Sequence, residues 1–111
     1  MNNVGSGLAV NPVEAEGVLR VVEELEDVLQ LIADPELENT ILLTSSPGAT
    51  VLVPLLTKVR GVVCTGGGRT SHLALVSREL GLACVMSADV DIGAMRVGGW
   101  VRLAIDGSVH A

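Results

Sequence analysis

The sequence is almost without aromatic side chains and is poor in positive charge, and both shortages limit what the protein can do. Tyrosine and phenylalanine are absent from the 111 residues, and Trp100 is the single tryptophan. Nucleic-acid binding by base stacking is therefore not expected, because there are no rings for bases to stack on. Thirteen Asp and Glu residues outnumber seven Lys and Arg residues, which gives a formal net charge of -6.

The negative charge is concentrated in the first third of the chain. Residues 1–40 contain nine acidic residues against Arg20 alone, a local net charge of -8, whereas residues 41–111 contain four acidic and six basic residues, a local net charge of +2. An acidic surface argues against nucleic acids and anionic membranes as partners. The mildly basic remainder is suited to an anionic ligand.

Long apolar runs and paired cysteine motifs are also missing. No stretch approaches about 18 consecutive apolar residues, so no membrane span is expected. The uncharged start Met1-Asn2-Asn3 is unlike a signal peptide, which favours a cytoplasmic protein. Cys64 and Cys84 lie within apolar runs and lack metal-ligand or redox spacing, so we expect buried, reduced thiols.

What the sequence does contain predicts a folded domain. Hydrophobic residues make up 49% of the chain and charged residues 18%, a composition that excludes a disordered segment. The length suits one domain spanning residues 1–111. Short apolar runs predict strands at 8–10, 17–22, 40–44, 61–64, 82–86 and 100–105, and helical spacing predicts helices at 23–32, 49–58 and 71–80. We therefore expect a mixed α/β domain whose two β layers hold helices on one side.

Glycine and proline mark the predicted turns. Asn11-Pro12 predicts a turn after the first strand, and Asp106-Gly107 predicts a hairpin near the C-terminus. Gly81 follows the helix predicted at 71–80, where a left-handed glycine commonly ends a helix.

The most informative segment is a predicted strand that leads through Gly66-Gly67-Gly68 into a helix. Consecutive glycines allow the backbone to approach a ligand closely, and the free N–H groups of a helix N-terminus attract anions. Arg69 adds a positive charge, while Thr70 and Ser71 supply hydroxyl donors or the helix N-cap. With Arg60 and Arg78 nearby in sequence, this pattern predicts a phosphate-binding loop.

His72 follows this loop at the predicted start of the helix. The positive end of the helix dipole disfavours the imidazolium form, and a neutral imidazole is a nucleophile toward phosphorus. The same helix end would stabilise the anionic phosphohistidine product. An alternative is that His72 only hydrogen-bonds the loop. His110, close to the C-terminus, is assigned no role.

Three other motifs compete for this segment. A P-loop needs a Lys followed by Ser or Thr, whereas Arg69 occupies the basic position here. A dinucleotide fingerprint fits Gly66-x-Gly68 and an acidic Asp89 about twenty residues further on, although Ser71 replaces its third glycine. A serine hydrolase would need Ser71 in a G-x-S-x-G turn, which is absent. A small anion-binding or dinucleotide-binding domain therefore stays an alternative.

The residues around His72 resemble a known family motif. The run Gly67-Gly68-Arg69-Thr70-Ser71-His72, followed by Ala74, Val76 and Arg78-Glu79-Leu80-Gly81, is similar to the phosphohistidine motif of the phosphoenolpyruvate-utilising enzymes. That family includes pyruvate phosphate dikinase, phosphoenolpyruvate synthase, enzyme I of the sugar phosphotransferase system and rifampicin phosphotransferase. Weaker similarity extends over residues 7–17, 41–56 and 105–108.

The resemblance implies a swivelling β/β/α phosphohistidine domain, a mobile unit of a phosphotransferase. His72 matches the histidine that accepts a phosphoryl group at an ATP-grasp-type nucleotide domain or a phosphoenolpyruvate site and delivers it to a second site. The domain itself would bind no cofactor or metal; ATP or phosphoenolpyruvate and Mg²⁺ are expected at the partner domains. The chain would be a stand-alone subunit or an excised domain, and alone it should not turn over. A non-catalytic interaction module with the same fold is an alternative.

Several positions receive a finer assignment from the same resemblance. Arg69 and Thr70 are candidate catalytic residues beside His72, and Thr70 matches a position that is a regulatory phosphorylation site in the plant-type dikinase. Phosphate binding or N-capping is the simpler role for Thr70. The chain departs from the family pattern at Leu73, Ser77 and Ala83. Because Leu73 replaces a small residue beside the histidine, we expect it to alter the docking surface or narrow access to the ring.

Overall fold

The computed structural model describes residues 1–45, 52–68 and 71–111. Within these ranges the chain forms seven strands and three α-helices. The strands are β1 (Asn3–Ala9), β2 (Ala15–Val21), β3 (Thr40–Thr44), β4 (Gly61–Cys64), β5 (Ala83–Val90), β6 (Trp100–Leu103) and β7 (Ser108–His110). The helices are α1 (Leu25–Ile32), α2 (Val53–Leu56) and α3 (His72–Leu80), with short 3-10 turns at Leu37–Asn39 and Ile92–Ala94.

The seven strands form one closed barrel in the order β1-β5-β4-β3-β2-β6-β7, with β7 pairing back to β1. Strands β2, β3, β4 and β5 are parallel neighbours, and the remaining pairs are antiparallel. A Cβ atom on Gly7 would lie 2.6 Å from the Met86 carbonyl oxygen, so glycine permits the close approach of β1 to β5. The mixed α/β class is confirmed, but the two expected β layers are walls of a single closed sheet.

Alternation along the strands creates two separate cores. Inward-facing side chains such as Leu43, Val63 and Val85 fill the barrel interior. Their neighbours Leu42, Val62 and Cys84 point outward and pack under the helices. This division follows from the two-residue period of a strand, because successive side chains point to opposite faces.

The crossover connections bring the helix N-termini to one end of the barrel. Helices α1, α2 and α3 follow the parallel strands β2, β3 and β4, respectively. The carboxyl ends of β2 to β5 and the start of each following helix therefore share one rim, called here the carboxyl edge. Ligands of parallel α/β sheets bind at this edge.

Most predicted elements are confirmed, with shifted boundaries. β3 and β4 have the predicted bounds, whereas β1 begins at Asn3 rather than at residue 8 and β5 continues to Val90. α2 covers only part of the helix predicted at 49–58, and residues 49–51 lie outside the described residues. The predicted hairpin near the C-terminus is confirmed by the antiparallel pairing of β6 and β7. Within the described ranges, no helix combines the length and apolarity needed to cross a membrane.

Candidate functional site

The glycine loop begins at the end of β4 and is tied to the neighbouring strands. The Thr65 N–H donates to the Thr44 carbonyl at 3.0 Å, and the Ser87 N–H donates to the Gly66 carbonyl at 3.3 Å. The Ser87 hydroxyl also donates to the Gly67 carbonyl. Gly67 has φ 69°, in the left-handed region that favours glycine. The loop is thus held in place by its own glycine conformation and by Ser87 of β5.

Ser87 reaches the loop because β5 carries a bulge. Leu8 pairs with Met86 and Ser6 with Asp89, so β5 has one more residue than β1 between these two pairs. Ser87 within the bulge has φ 49° and is the only non-glycine residue of the described chain with a positive φ. Bulges commonly re-aim a side chain next to a functional site. Ser87 could not be predicted as part of the site, because no local sequence signal marks a bulge in an apolar strand.

Ser71 joins the loop to the helix. Its hydroxyl donates to the Gly68 carbonyl at 2.9 Å and accepts from the Ala74 N–H at 3.4 Å. Its own N–H also donates to the Gly68 carbonyl, at 3.1 Å. Ser71 was predicted either as a phosphate donor or as the N-cap, and the structure assigns it to the N-cap. This cap fixes the first turn of α3 against the glycine loop.

His72 is the first residue of α3 and is exposed to solvent. The adjacent Leu73 is 2% exposed and packs in the core between the helices and the barrel. The expectation that Leu73 alters the docking surface is therefore wrong, since its side chain turns inward from the position beside the imidazole. The ring of His72 is open to an approaching partner.

Two of the three basic residues predicted near the loop, Arg60 and Arg78, lie elsewhere. Arg60 precedes β4, at the amino end of the strand, and donates to the Glu38 carbonyl at 3.1 Å and the Asn39 side-chain oxygen at 3.0 Å. Arg78 lies in the last turn of α3, away from His72. Both residues are close to the loop in sequence but not in space, because β4 separates Arg60 from the loop and most of α3 separates Arg78 from it. Arg69 and Thr70 lie outside the described residues.

Both cysteines are buried and free, as expected. Burial raises the pKa of the Cys84 thiol to about 11, and the Ser77 hydroxyl partly counteracts this effect. Burial also raises the pKa of Cys64; the Gly66 N–H lowers it in part, while the Glu23 carboxylate adds to the rise. Thiols with raised pKa values are poor nucleophiles at neutral pH. Cys64, at the end of the strand that leads into the glycine loop, is therefore a poor nucleophile.

His110, assigned no role from the sequence, belongs to β7 and has a partner. Its Nε2 atom lies 2.9 Å from the Ser108 hydroxyl, which lies 2.6 Å from an Asp106 carboxylate oxygen. β7 sits three strands away from β4 around the barrel, on another wall. The two histidines of the chain are thus separate, and only His72 adjoins the glycine loop.

The glycine loop and His72 lie in the part of the chain that matches a known family of domains. Residues 36–109 match the family described as PEP-utilising enzyme, mobile domain. The chain belongs to this family. The closed barrel of this mobile domain also differs from the open, doubly wound sheet in which a dinucleotide fingerprint operates.

Curated relatives of the mobile domain are much longer proteins. Phosphoenolpyruvate synthase of Pyrococcus furiosus is 31% identical over 102 residues, which is 92% of this chain and 12% of the relative. Phosphoenolpyruvate synthase of Aquifex aeolicus is 38% identical over 80 residues, or 72% of this chain and 9% of the relative. The chain therefore spans about a tenth of the length of these relatives, in which the matching segment is joined to further sequence.

Solved structures with little sequence similarity share the fold. Aconitase X of Thermococcus kodakaraensis aligns with a TM-score of 0.68 at 17% identity, covering 98% of both chains. The solution structure of a UPF0107 protein aligns with a TM-score of 0.62 at 16% identity, covering 95% of this chain and 96% of that one. These likenesses show the fold alone.

Proposed function

We propose that the protein is a phosphoryl carrier in which His72 accepts a phosphoryl group at one partner site and passes it to a second. The observation that carries the proposal is the exposed imidazole at the first turn of α3, directly after a structured glycine loop. Membership of the mobile-domain family, with phosphoenolpyruvate synthases among the relatives, supports the same function. The donor would be ATP or phosphoenolpyruvate held by a partner domain.

The chemistry needs a nucleophile and a place for negative charge. An imidazole nitrogen of His72 attacks phosphorus in line; the N–P bond forms as the donor's P–O bond breaks and its electron pair leaves with the donor oxygen. Backbone N–H groups of the glycine loop and of the α3 N-terminus would stabilise the transferred group. Arg69 and Thr70, beside His72 in sequence, are proposed to add a cation and a hydroxyl. In the second transfer the acceptor attacks phosphorus and the N–P bond breaks, which regenerates the free imidazole.

A carrier of this kind works only with other domains. The relatives are longer than this chain, which supports partner domains that hold the donor and acceptor. Bound nucleotide, phosphoenolpyruvate and Mg²⁺ would belong to those domains. We expect the chain alone to carry a phosphoryl group but not to turn over.

Phosphorylation of the isolated chain by phosphoramidate, a small phosphoryl donor, tests the proposal without a partner. The protein contains two histidines, so His110→Ala is a matched control for His72→Ala. Intact-mass spectrometry should show one phosphoryl group on the wild type and on His110→Ala, and none on His72→Ala. The adduct should be labile in acid and stable in base, as a phosphoramidate bond is.

Two results would contradict the proposal. A phosphoryl group that persists in His72→Ala would place the chemistry elsewhere. A wild type that stays unmodified while free imidazole in the same tube is phosphorylated would show that the ring is not reactive, and would favour the non-catalytic interaction module.

A further inference from the structure

A pocket of about 500 Å³ opens at the carboxyl edge, in the mouth of the barrel. Its volume lies within the range of about 300–1,000 Å³ typical of ligand pockets. The apolar part of its wall is formed by the ends of parallel strands and the turn after β5: Val21, Leu43, Ala88, Val90 and Ile92. The barrel interior is packed below this level, so the pocket is a cup rather than a channel.

The wall of the pocket exposes apolar surface that the fold leaves uncovered. Val21 is 38% exposed and Ile92 56% exposed, although both are large hydrophobic residues. Ala88, which the β5 bulge turns into the barrel mouth, is too small to fill the space. An apolar group that entered the cup would bury this surface and gain hydrophobic stabilisation.

The rim of the pocket is acidic. The Glu23 carboxylate is held by Ser45, whose N–H and hydroxyl donate to its two oxygens at 2.9 and 2.7 Å. A carboxylate has about four acceptor positions, so Glu23 retains capacity for another donor. Asp89 lines the same pocket and is exposed, and the described lining includes no Lys or Arg. The pocket therefore combines an apolar wall with two carboxylates that no basic residue of the described lining neutralises.

We propose that this barrel-mouth pocket receives an arginine or lysine side chain from the protein domain that docks on the carboxyl edge. Such side chains have an apolar stem and a cationic head, which match the wall and the rim. The two rim carboxylates, Glu23 and Asp89, would attract the cationic head of that side chain.

The direction of approach rests on the proposed function. α3 begins at the carboxyl edge, so a domain that presents a phosphoryl group to His72 also faces the mouth of the barrel. Thr65 lines the pocket and is the residue after β4, where the glycine loop starts. The inserted side chain would thus fix the register of the partner relative to the loop.

The proposal is tested by titrating the ¹⁵N-labelled chain with N-acetyl-arginine methylamide and following its amide resonances by NMR. We expect saturable shifts at Val21, Ser45, Thr65 and Asp89, and weaker binding of the neutral citrulline analogue. Asp89→Asn and Glu23→Gln should each weaken binding of the arginine probe roughly threefold to fivefold. Glu79→Gln, at the far end of α3, is the matched control and should bind as the wild type does.

His72→Ala separates this proposal from the proposed function, because it should bind the arginine probe normally while failing to take up phosphoryl groups. Equal shifts with the arginine and citrulline probes would overturn the proposal. So would shifts that map to the acidic surface of α1 instead of the pocket, or that persist unchanged in both carboxylate variants. Amide dispersion in the same spectra shows whether each variant is folded.

Discussion

At the scale of single residues, the glycine loop depends on two residues in the left-handed φ region that are joined by a hydrogen bond. Gly67 has φ 69° and Ser87 has φ 49°, and the Ser87 hydroxyl donates to the Gly67 carbonyl. For a residue with a Cβ atom, the left-handed conformation costs roughly 1–2 kcal/mol. Ser87 therefore adopts a conformation of raised free energy while it anchors the glycine loop, whereas Gly67 has no Cβ atom and is not strained.

Gly67→Ala should lower the free energy of unfolding by roughly 1 kcal/mol and slow phosphoryl uptake by His72, because the loop must shift to relieve the strain. Gly81→Ala is the matched control, since Gly81 has φ 67° at the other end of α3 and a Cβ there would meet nothing within 4 Å. Urea unfolding and the rate of modification by phosphoramidate measure the two effects. Equal uptake rates in both variants would show that the loop conformation does not matter to His72.

Much of the site could be predicted from sequence, because its parts are adjacent in the chain. The glycine run, the cap at Ser71 and the position of His72 at the helix start all follow from local rules, and the structure has the cap and helix start in these places. The contact of Ser87 with the loop could not be predicted, since it depends on a bulge in β5. Nor could the distance of Arg60 from the loop, since it depends on the direction of β4.

At the scale of elements, α3 packs on the barrel through a buried serine. Ser77 is fully buried on the inner face of α3, and its hydroxyl has no hydrogen-bond partner of acceptable geometry among the described residues. The Ser77 hydroxyl lowers the pKa of the nearby Cys84 thiol in β5, but a thiol is a weak hydrogen-bonding group. A buried hydroxyl without a good partner costs free energy.

Ser77→Ala should therefore raise the free energy of unfolding by about 1 kcal/mol, without affecting phosphoryl uptake at His72. Chemical denaturation with urea measures the change, and an unchanged slope against urea would show that only stability has moved. A loss of stability of similar size would mean that the hydroxyl is satisfied in the folded protein and that the α3–β5 contact depends on it.

The elements themselves were predictable where they are continuous apolar runs, as for β3 and β4. Closure of the barrel was not, because it depends on β1 pairing with β5 on one side and β7 on the other. The first pair joins residues such as Ala9 and Val85, and the second joins the two ends of the chain, as in Asn3 with His110. Local periodicity contains no information about such contacts, so two layers were expected where one closed sheet exists.

At the scale of the whole molecule, two carboxylates near the surface, Asp27 and Asp106, connect folding to pH. The N–H groups of Glu23 and Glu24 donate to Asp27 and hold its pKa below the ordinary value. The Ser108 hydroxyl and N–H do the same for Asp106 in the turn between β6 and β7. Since both pKa values are lowered in the folded state, the stabilisation is present above the unfolded value of about 3.9 and is lost as pH falls below it.

Asp27→Asn and Asp106→Asn should each lower the melting temperature at pH 7, and the difference from the wild type should shrink as the pH falls below about 4. Thermal unfolding followed by circular dichroism across this range checks the prediction. Glu26→Gln, in the same turn of α1 as Asp27, removes a charge without removing a cap and should not reproduce the pattern. A difference that stays constant down to the lowest pH would contradict the assignment of these carboxylates.

The proposed phosphoryl carrier uses one imidazole, His72, in a molecule that has only two histidines. NMR of the imidazole nitrogens, in ¹⁵N-labelled protein treated with phosphoramidate, resolves both rings in one spectrum and detects coupling between nitrogen and phosphorus directly. We expect a single nitrogen of His72 to acquire this coupling while the ring of His110 is unchanged. Coupling at His110, or at neither ring while phosphoramidate is still present, would show that His72 is not the phosphoryl carrier.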